Sequence, residues 1–326
     1  MPSQQQILSS EVILEKYGSS LAGKTILVTG VAADSIGGEL AVQLSTAKPA
    51  LLILSARSQD RVESIVAKIK ANGLGVATRF LKMDLGNLSS VREAAASLKD
   101  IPTIDHVVAS AGVMLSPYGK TVDGIETHFA INYVANFLLV KLLLSQVEAA
   151  GPASSIIVVA SSEVRAGKVN FDDVNFNDGN SYNPQEGYRQ SNAARVMFIK
   201  KLAAGLGPRK IRVHSIDPGA VRTGLQRFVP PEAFTAFDDM RAAGQTWTDL
   251  DGREWILPEW TTVSEGAATI VTGMIDPTIE NFNGSFLHNN AVADEELTTF
   301  INNVENWDKL WALSEKLIGE SFSLTS

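Results

Sequence analysis

A single doubly wound α/β domain, a parallel sheet with helices on both faces, is the fold this sequence predicts, and three observations predict it. Short β-branched runs alternate with helical patterns from about residue 24 to residue 216, and most of these runs lack apolar–polar alternation. The first run ends in a glycine turn that opens a helix. Strands covered on both faces read as continuous apolar segments. A glycine turn after a first strand brings backbone N–H groups and the positive end of a helix to the sheet edge, where a pyrophosphate can bind.

The expected strands are Thr25–Thr29, Leu51–Ser55, Val76–Met83, His106–Ser110, Ile156–Ser161 and Arg212–Ile216. Helical spacing fills the intervals at Gly38–Thr46, Arg61–Ala71, Leu88–Leu98, Gly124–Ala149 and Gln185–Gly205. After Pro218 the pattern changes. Residues 225–262 hold three prolines and the aromatics Phe228, Phe234, Phe237, Trp247, Trp255 and Trp260. Long excursions in compact α/β domains are usually functional, so this stretch reads as a helical, aromatic lid over a substrate. Ser264–Met274 reads as a further helix, Ser285–His288 as a last strand and Asp308–Ile318 as a closing amphipathic helix. With no internal repeat or low-complexity linker, the 326 residues form one domain: a nucleotide-binding and catalytic core over 22–224, the lid over 225–262, and C-terminal helices and last strand over 263–326.

Composition excludes several chemistries. A formal charge of −8, with Lys and Arg scattered, argues against nucleic acid as a partner. The absence of cysteine removes disulfides, thiolate catalysis and Cys-based zinc sites. His106, His128, His214 and His288 stand isolated, so no metal site is expected. Residues 1–20 lack the basic start and apolar core of a secretory signal. The most apolar run, Phe137–Leu144, is broken by Lys141 and is far shorter than the roughly 20 residues of a membrane span. A cytoplasmic protein without a membrane partner is the expectation.

The turn at the first strand reads Thr25-Ile26-Leu27-Val28-Thr29-Gly30-Val31-Ala32-Ala33-Asp34-Ser35-Ile36-Gly37-Gly38. It resembles the Thr-Gly-x-x-x-Gly-x-Gly fingerprint of the short-chain dehydrogenase/reductase family, lengthened by one residue, with Ser35 near the place of the middle glycine. Comparable longer loops occur in some members, many of them fungal. A Rossmann-type fold and a nicotinamide cofactor held by Gly30, Ser35, Ile36 and Gly37 are what the resemblance implies. After the second strand, Arg57 and Ser58 stand where an acidic residue would select NAD, and an arginine there accommodates the 2′-phosphate of NADP. NADP(H) is therefore the expected cofactor. Asp84-Leu85 resembles the adenine-binding pair, and Ala111-Gly112 the second half of the family's Asn-Asn-Ala-Gly, whose asparagines are absent here. Pro218-Gly219-Ala220-Val221-Arg222-Thr223 resembles the Pro-Gly-x-x-x-Thr segment, implying cofactor contacts from Pro218, Gly219, Val221 and Thr223. The likeness covers residues 22–225.

Four further positions carry the chemistry that the resemblance implies. Ser162 ends the fifth strand and would polarise a carbonyl oxygen; Tyr188 would be the general acid or base; Asn132 would hold a water in a proton relay. The serine-to-tyrosine gap contains an insert, Asp172–Pro184, like that of retinol-dehydrogenase-like and related fungal members. The family's Tyr-x-x-x-Lys is here Tyr188-Arg189-Gln190-Ser191-Asn192. Asn192 can hydrogen-bond a ribose but cannot favour a tyrosinate, whose unperturbed pKa lies near 10. Arg189 points away from Tyr188; Arg195, two helical turns on and on a similar face, could reach the site, but by default exposure it is expected to be a solvated helix residue. The resulting expectation is an NADP(H)-dependent carbonyl reductase or alcohol dehydrogenase acting on an apolar small molecule, of a secondary-metabolite type. The alternative is an isomerase, dehydratase or cyclase that keeps the nucleotide site without net redox chemistry. A homodimer paired through the two long central helices, frequent in the family, stays open.

Overall fold

A short helix, α1 (Ser10–Tyr17), precedes the first strand in the computed structural model, which describes residues 7–209 and 211–324. Alternating units follow: β1 (Thr25–Thr29), α2 (Ile36–Ser45), β2 (Leu51–Ala56), α3 (Asp60–Ala71), β3 (Ala77–Lys82), α4 (Leu88–Ala96) and β4 (His106–Ala109). The second half continues with α5 (Ala135–Ala150), β5 (Ser155–Val159), α6 (Pro184–Leu206), β6 (Arg212–Asp217) and the two-residue β7 (Ala220–Val221). The segment after β7 holds α7 (Pro231–Ala242), β8 (Thr246–Thr248), β9 (Glu254–Ile256) and β10 (Trp260–Thr261). The chain closes with α8 (Val263–Ile275), β11 (Phe286–His288), β12 (Ala291–Val292), α9 (Thr299–Asn302) and α10 (Val304–Ile318).

The sheet runs β12-β11-β6-β5-β4-β1-β2-β3. Every neighbouring pair is parallel except β11 and β12. The order reverses between β1 and β4, which opens a crevice at the carboxyl ends of these strands. One apolar cluster covers one face through α4, α5, α6 and α10, and a second covers the other through α1, α2, α3 and α8. The doubly wound expectation holds because β1, β2, β4, β5 and β6 are buried on both faces, which their unalternated sequences required.

Three local expectations are corrected. Residues 124–126 are not helical. Gly124 turns at φ +77, and the buried Glu126 carboxylate accepts the N–H groups of His128 (2.9 Å) and Phe129 (2.8 Å), capping the helix that starts at Thr127. A π-helical turn, Phe129–Val134, leads into α5. The continuous helix over 129–150 is long and apolar enough to cross a membrane by length and composition, and 72% of its apolar window is buried inside the protein. Second, the insert after β7 is only partly helical: β8 and β9 form an antiparallel hairpin, and β10 lies parallel to β7. Third, α1 and the edge strand β12 were not anticipated.

Candidate active site

The crevice is a cavity of about 680 Å³, a size suited to a small-molecule site. At its floor, Gly30 takes φ +73, and a Cβ built on it would lie 2.7 Å from the Ala111 Cα. Only glycine lets the β1 and β4 ends approach this closely. Ser35 laces the lengthened loop together. Its hydroxyl accepts from the N–H groups of Ala32 and Gly38 (both 3.0 Å), and it lies 2.9 Å from the carbonyls of both Gly30 and Ala32. The extra residue is thus absorbed by side-chain hydrogen bonds, and α2 still presents its N-terminus to the cavity, with Ser35 as its cap.

Gly30, Ser35, Ile36, Arg57, Asp84, Leu85, Ala111 and Gly112 line the cavity as expected, as do Pro218, Gly219, Val221 and Thr223. Gly37 and Ser58 do not. A Cβ on Gly37 would lie 2.9 Å from the Gly30 carbonyl, so its role is helix-to-turn packing. In place of Ser58 the structure brings Arg61 and Arg227 to the wall that Arg57 forms. Burial, and after it the charges of Arg57 and Arg61, lower the proton affinity of Arg227. Clustered guanidiniums of this kind suit a phosphate. Together with the tight turn at a helix N-terminus, they make a donor set that fits a phosphorylated dinucleotide.

Tyr188 stands in the first turns of α6 with 5% of its surface exposed and its phenol facing the cavity. Of the two neighbouring serines, Ser161 favours the ionised form of Tyr188, whereas Ser162 favours that of the buried carboxylate of Asp217. That carboxylate also accepts the Gly219 N–H (3.1 Å) and lies 3.7 Å from His288 Nε2. Both serines line the cavity, and the one that acts on Tyr188 is Ser161 rather than Ser162. Asn132 does not reach the cavity. Its amide oxygen accepts from the Val113 N–H (2.8 Å), while its amide nitrogen donates to the Val113 carbonyl (3.0 Å) and to Ser191 Oγ (2.9 Å). Its side chain is a brace between the β4 end and α6, which corrects the water-holding role expected of it.

Asn192 is fully buried and also lies off the cavity wall. Its amide nitrogen donates to the Tyr188 carbonyl (3.0 Å), and its amide oxygen accepts from Arg195 Nη1 (3.3 Å). The side chain expected to hold a ribose thus does not stand on the cavity wall. Arg195, expected in solvent, is 4% exposed and lines the cavity. Its guanidinium donates to the carbonyls of Ala111 (2.7 Å) and Asn132. Burial pushes Tyr188 above its ordinary pKa, and the positive charge of Arg195 pulls it back down. Burial also lowers Arg195, to about 10, so it remains a cation at neutral pH. Arg189 does point away, onto Glu163 (2.6 Å) and Glu186 (2.9 Å).

The far end of the cavity is aromatic. Phe234, Phe237, Trp247 and Trp260 line it. The Phe237 ring centroid lies 5.2 Å from that of Trp260, and the Arg222 guanidinium sits 4.5 Å from the Trp260 ring. Asp238 fixes this corner, accepting from Trp260 Nε1 (2.7 Å) and from Arg222 (3.1 Å).

Comparison with known proteins gives a consistent picture. The family model described as short chain dehydrogenase matches residues 24–233. Human retinol dehydrogenase 13 is 31% identical over 305 residues, covering 92% of this chain and 86% of that protein. Human polyprenol dehydrogenase is 29% identical over 296 residues, covering 87% and 83%. A short chain dehydrogenase from Burkholderia cenocepacia J2315, solved in complex with NADP, superposes with a TM-score of 0.61 at 22% identity, covering 83% of this chain and 99% of that one.

Proposed function

Since the chain belongs to the short-chain dehydrogenase family, we propose that it is an NADP(H)-dependent oxidoreductase interconverting an apolar carbonyl compound and its alcohol. The carrying observation is that Tyr188 and Ser161 stand on the wall of the same cavity that Gly30, Arg57 and Pro218 line. A bound nicotinamide supplies the hydride for reduction. Tyr188 then delivers one proton to the carbonyl oxygen, and the Ser161 hydroxyl holds that oxygen and draws electron density from the carbon. In the oxidation direction Tyr188 takes the same proton back.

Preference for NADP(H) rests on the arginine wall: Arg57, Arg61 and Arg227 line one end of the cavity. A charge-assisted hydrogen bond is worth about 1.5–3 kcal/mol. Arg57→Ala is accordingly expected to weaken NADPH binding by about 10–100-fold and to leave NADH binding nearly unchanged, as read by quenching of intrinsic tryptophan fluorescence. Equal losses for both cofactors would refute the assignment.

The aromatic end supports an extended apolar substrate of isoprenoid size, in keeping with the substrates named by the retinol and polyprenol dehydrogenases. The test offers retinaldehyde and a short aliphatic aldehyde with NADPH and follows nicotinamide absorbance together with product mass. Turnover of retinaldehyde with stoichiometric NADPH oxidation is expected. Product formed without nicotinamide oxidation would sink the redox reading. Trp260→Ala removes a large wall of the apolar end and should raise KM for retinaldehyde more than for the short aldehyde, with kcat little changed.

A further inference from the structure

The position that sets this chain apart is residue 192, where a neutral amide is fully buried beneath Tyr188. Residues 188, 192 and 195 fall on one face of α6, since spacings of three and four bring helical side chains together. The site contains one buried cation at this depth, Arg195, and its acceptors are the carbonyls of Ala111 and Asn132 and the Asn192 amide oxygen. All three are neutral. Among the described residues no carboxylate pairs with this guanidinium, so its charge is left uncompensated in the interior. A buried cation without an anion costs several kcal/mol, so its retention points to a negative charge that arises only during turnover. The Tyr188 phenol, on the same cavity wall and the same face of α6, is the group that can carry one.

We propose that Arg195 is the cation that holds the negative charge developing on Tyr188, and that Asn192 is the positioning residue that aims it. The inference rests on Tyr188 as the proton carrier.

Geometry suits the two roles. The Asn192 amide donates to the Tyr188 carbonyl and accepts from Arg195 Nη1, so it bridges the two residues (3.0 and 3.3 Å). A lysine at 192 could only donate, and it would set a second positive charge against the guanidinium. Gly112 makes room: a Cβ there would lie 3.1 Å from Arg195 Nη2 and from the Asn132 amide oxygen. Guanidinium carries five N–H donors. Three are engaged by the acceptors above, and Nη1 and Nη2 each keep one more on a side chain that lines the cavity. The Asn132 carbonyl accepts both Arg195 Nε and Asn136 Nδ2 (2.8 Å), which uses both of its lone pairs. A water relay through that carbonyl is thereby closed, and the charge of Arg195 acts on Tyr188 directly.

The test is a mutant cycle read by two signals. Tyrosinate absorbance, taken as the difference from Tyr188→Phe, titrates Tyr188 itself in the cofactor-free protein. The second signal is the pH profile of alcohol oxidation. Arg195→Met is expected to move both upward by at least about one pH unit, a tenfold loss of oxidation rate at neutral pH, while Arg195→Lys keeps most of the wild-type behaviour. Asn192→Lys alone should lower activity, because two cations meet, and Asn192→Lys/Arg195→Met should recover it. Should Arg195→Met fail to fold, the double variant decides by its recovery. Unchanged titration in folded Arg195→Met, a gain of activity in Asn192→Lys alone, or a folded double variant no better than either single one overturns the proposal. Those outcomes are distinct from failure of the redox reading, in which Tyr188→Phe would itself remain active.

Discussion

Tyr188→Phe is expected to lower turnover by about 10²–10⁴-fold, the range supplied by a positioned general acid or base, while NADPH affinity stays unchanged. Phenylalanine fills the same buried volume, so the fold should lose little stability. The separation of turnover from binding is what identifies the phenol as a reacting group. Wild-type pH dependence gives an independent check. Burial raises Tyr188 above the ordinary tyrosine value, and Arg195 only partly reverses this. A raised value means that the neutral phenol persists through neutral pH and is lost as pH climbs past it. Reduction, which uses the phenol as acid, should therefore be level through neutral pH and decline in alkali. Oxidation, which needs the phenolate, should rise across the same alkaline window. Steady-state kcat in both directions between pH 7 and 11 measures this. A reduction rate that already falls below pH 8 would assign the proton to another group.

What the sequence disclosed, and what it concealed, divides along a physical line. The sheet was legible because β1, β2 and β4 through β6 are buried on both faces, and such burial writes itself as unbroken apolar runs. The Gly30 turn was legible because close approach to Ala111 admits no side chain. Arg195 was concealed by a sound default, that arginine is solvated; the contrary signal was its spacing of seven from Tyr188, which places the two nearly in line on α6. Residues 124–126 looked helical because Ile125, Phe129 and Ala130 carry helical spacing, yet Glu126 ends the turn before them and caps the helix from outside, accepting the N–H groups of His128 and Phe129. In the lid, aromatic content was visible while pairing was not, since the hairpin of β8 and β9 is only three residues long on each side. Asn132 and Asn192 were found at the right places with the wrong partners. Sequence fixes which face of a helix a residue occupies, but hydrogen-bond partners depend on neighbours brought in from other elements.

The same limit separates Ser161 from Ser162, and the second large effect is expected there. At the end of a strand successive side chains point to opposite sides, so a one-residue difference decides which serine meets the substrate. Ser161 opens the turn Ser162–Ala166 and accepts from the Glu163 N–H (3.3 Å), which leaves its hydroxyl proton free to follow Tyr188 or a substrate oxygen. Ser162 acts on Asp217 instead, whose other neighbours are the Gly219 N–H and His288. Removing a donor aimed at a developing oxyanion costs about 10²–10³ in kcat, so Ser161→Ala should fall by that much with little change in melting temperature. Ser162→Ala should keep most of its turnover and lose stability by about 0.5–1.5 kcal/mol, because a buried carboxylate loses the nearby hydroxyl that favours its charge. Burial already raises the proton affinity of Asp217, so the missing donor leaves its charged form still less favoured and the deficit should widen as pH rises. Measured side by side, kcat and chemical denaturation must therefore move in opposite order for the two serines. An inactive Ser162→Ala beside an active Ser161→Ala would reverse the assignment, and would require the Asp217 contact to break when substrate binds.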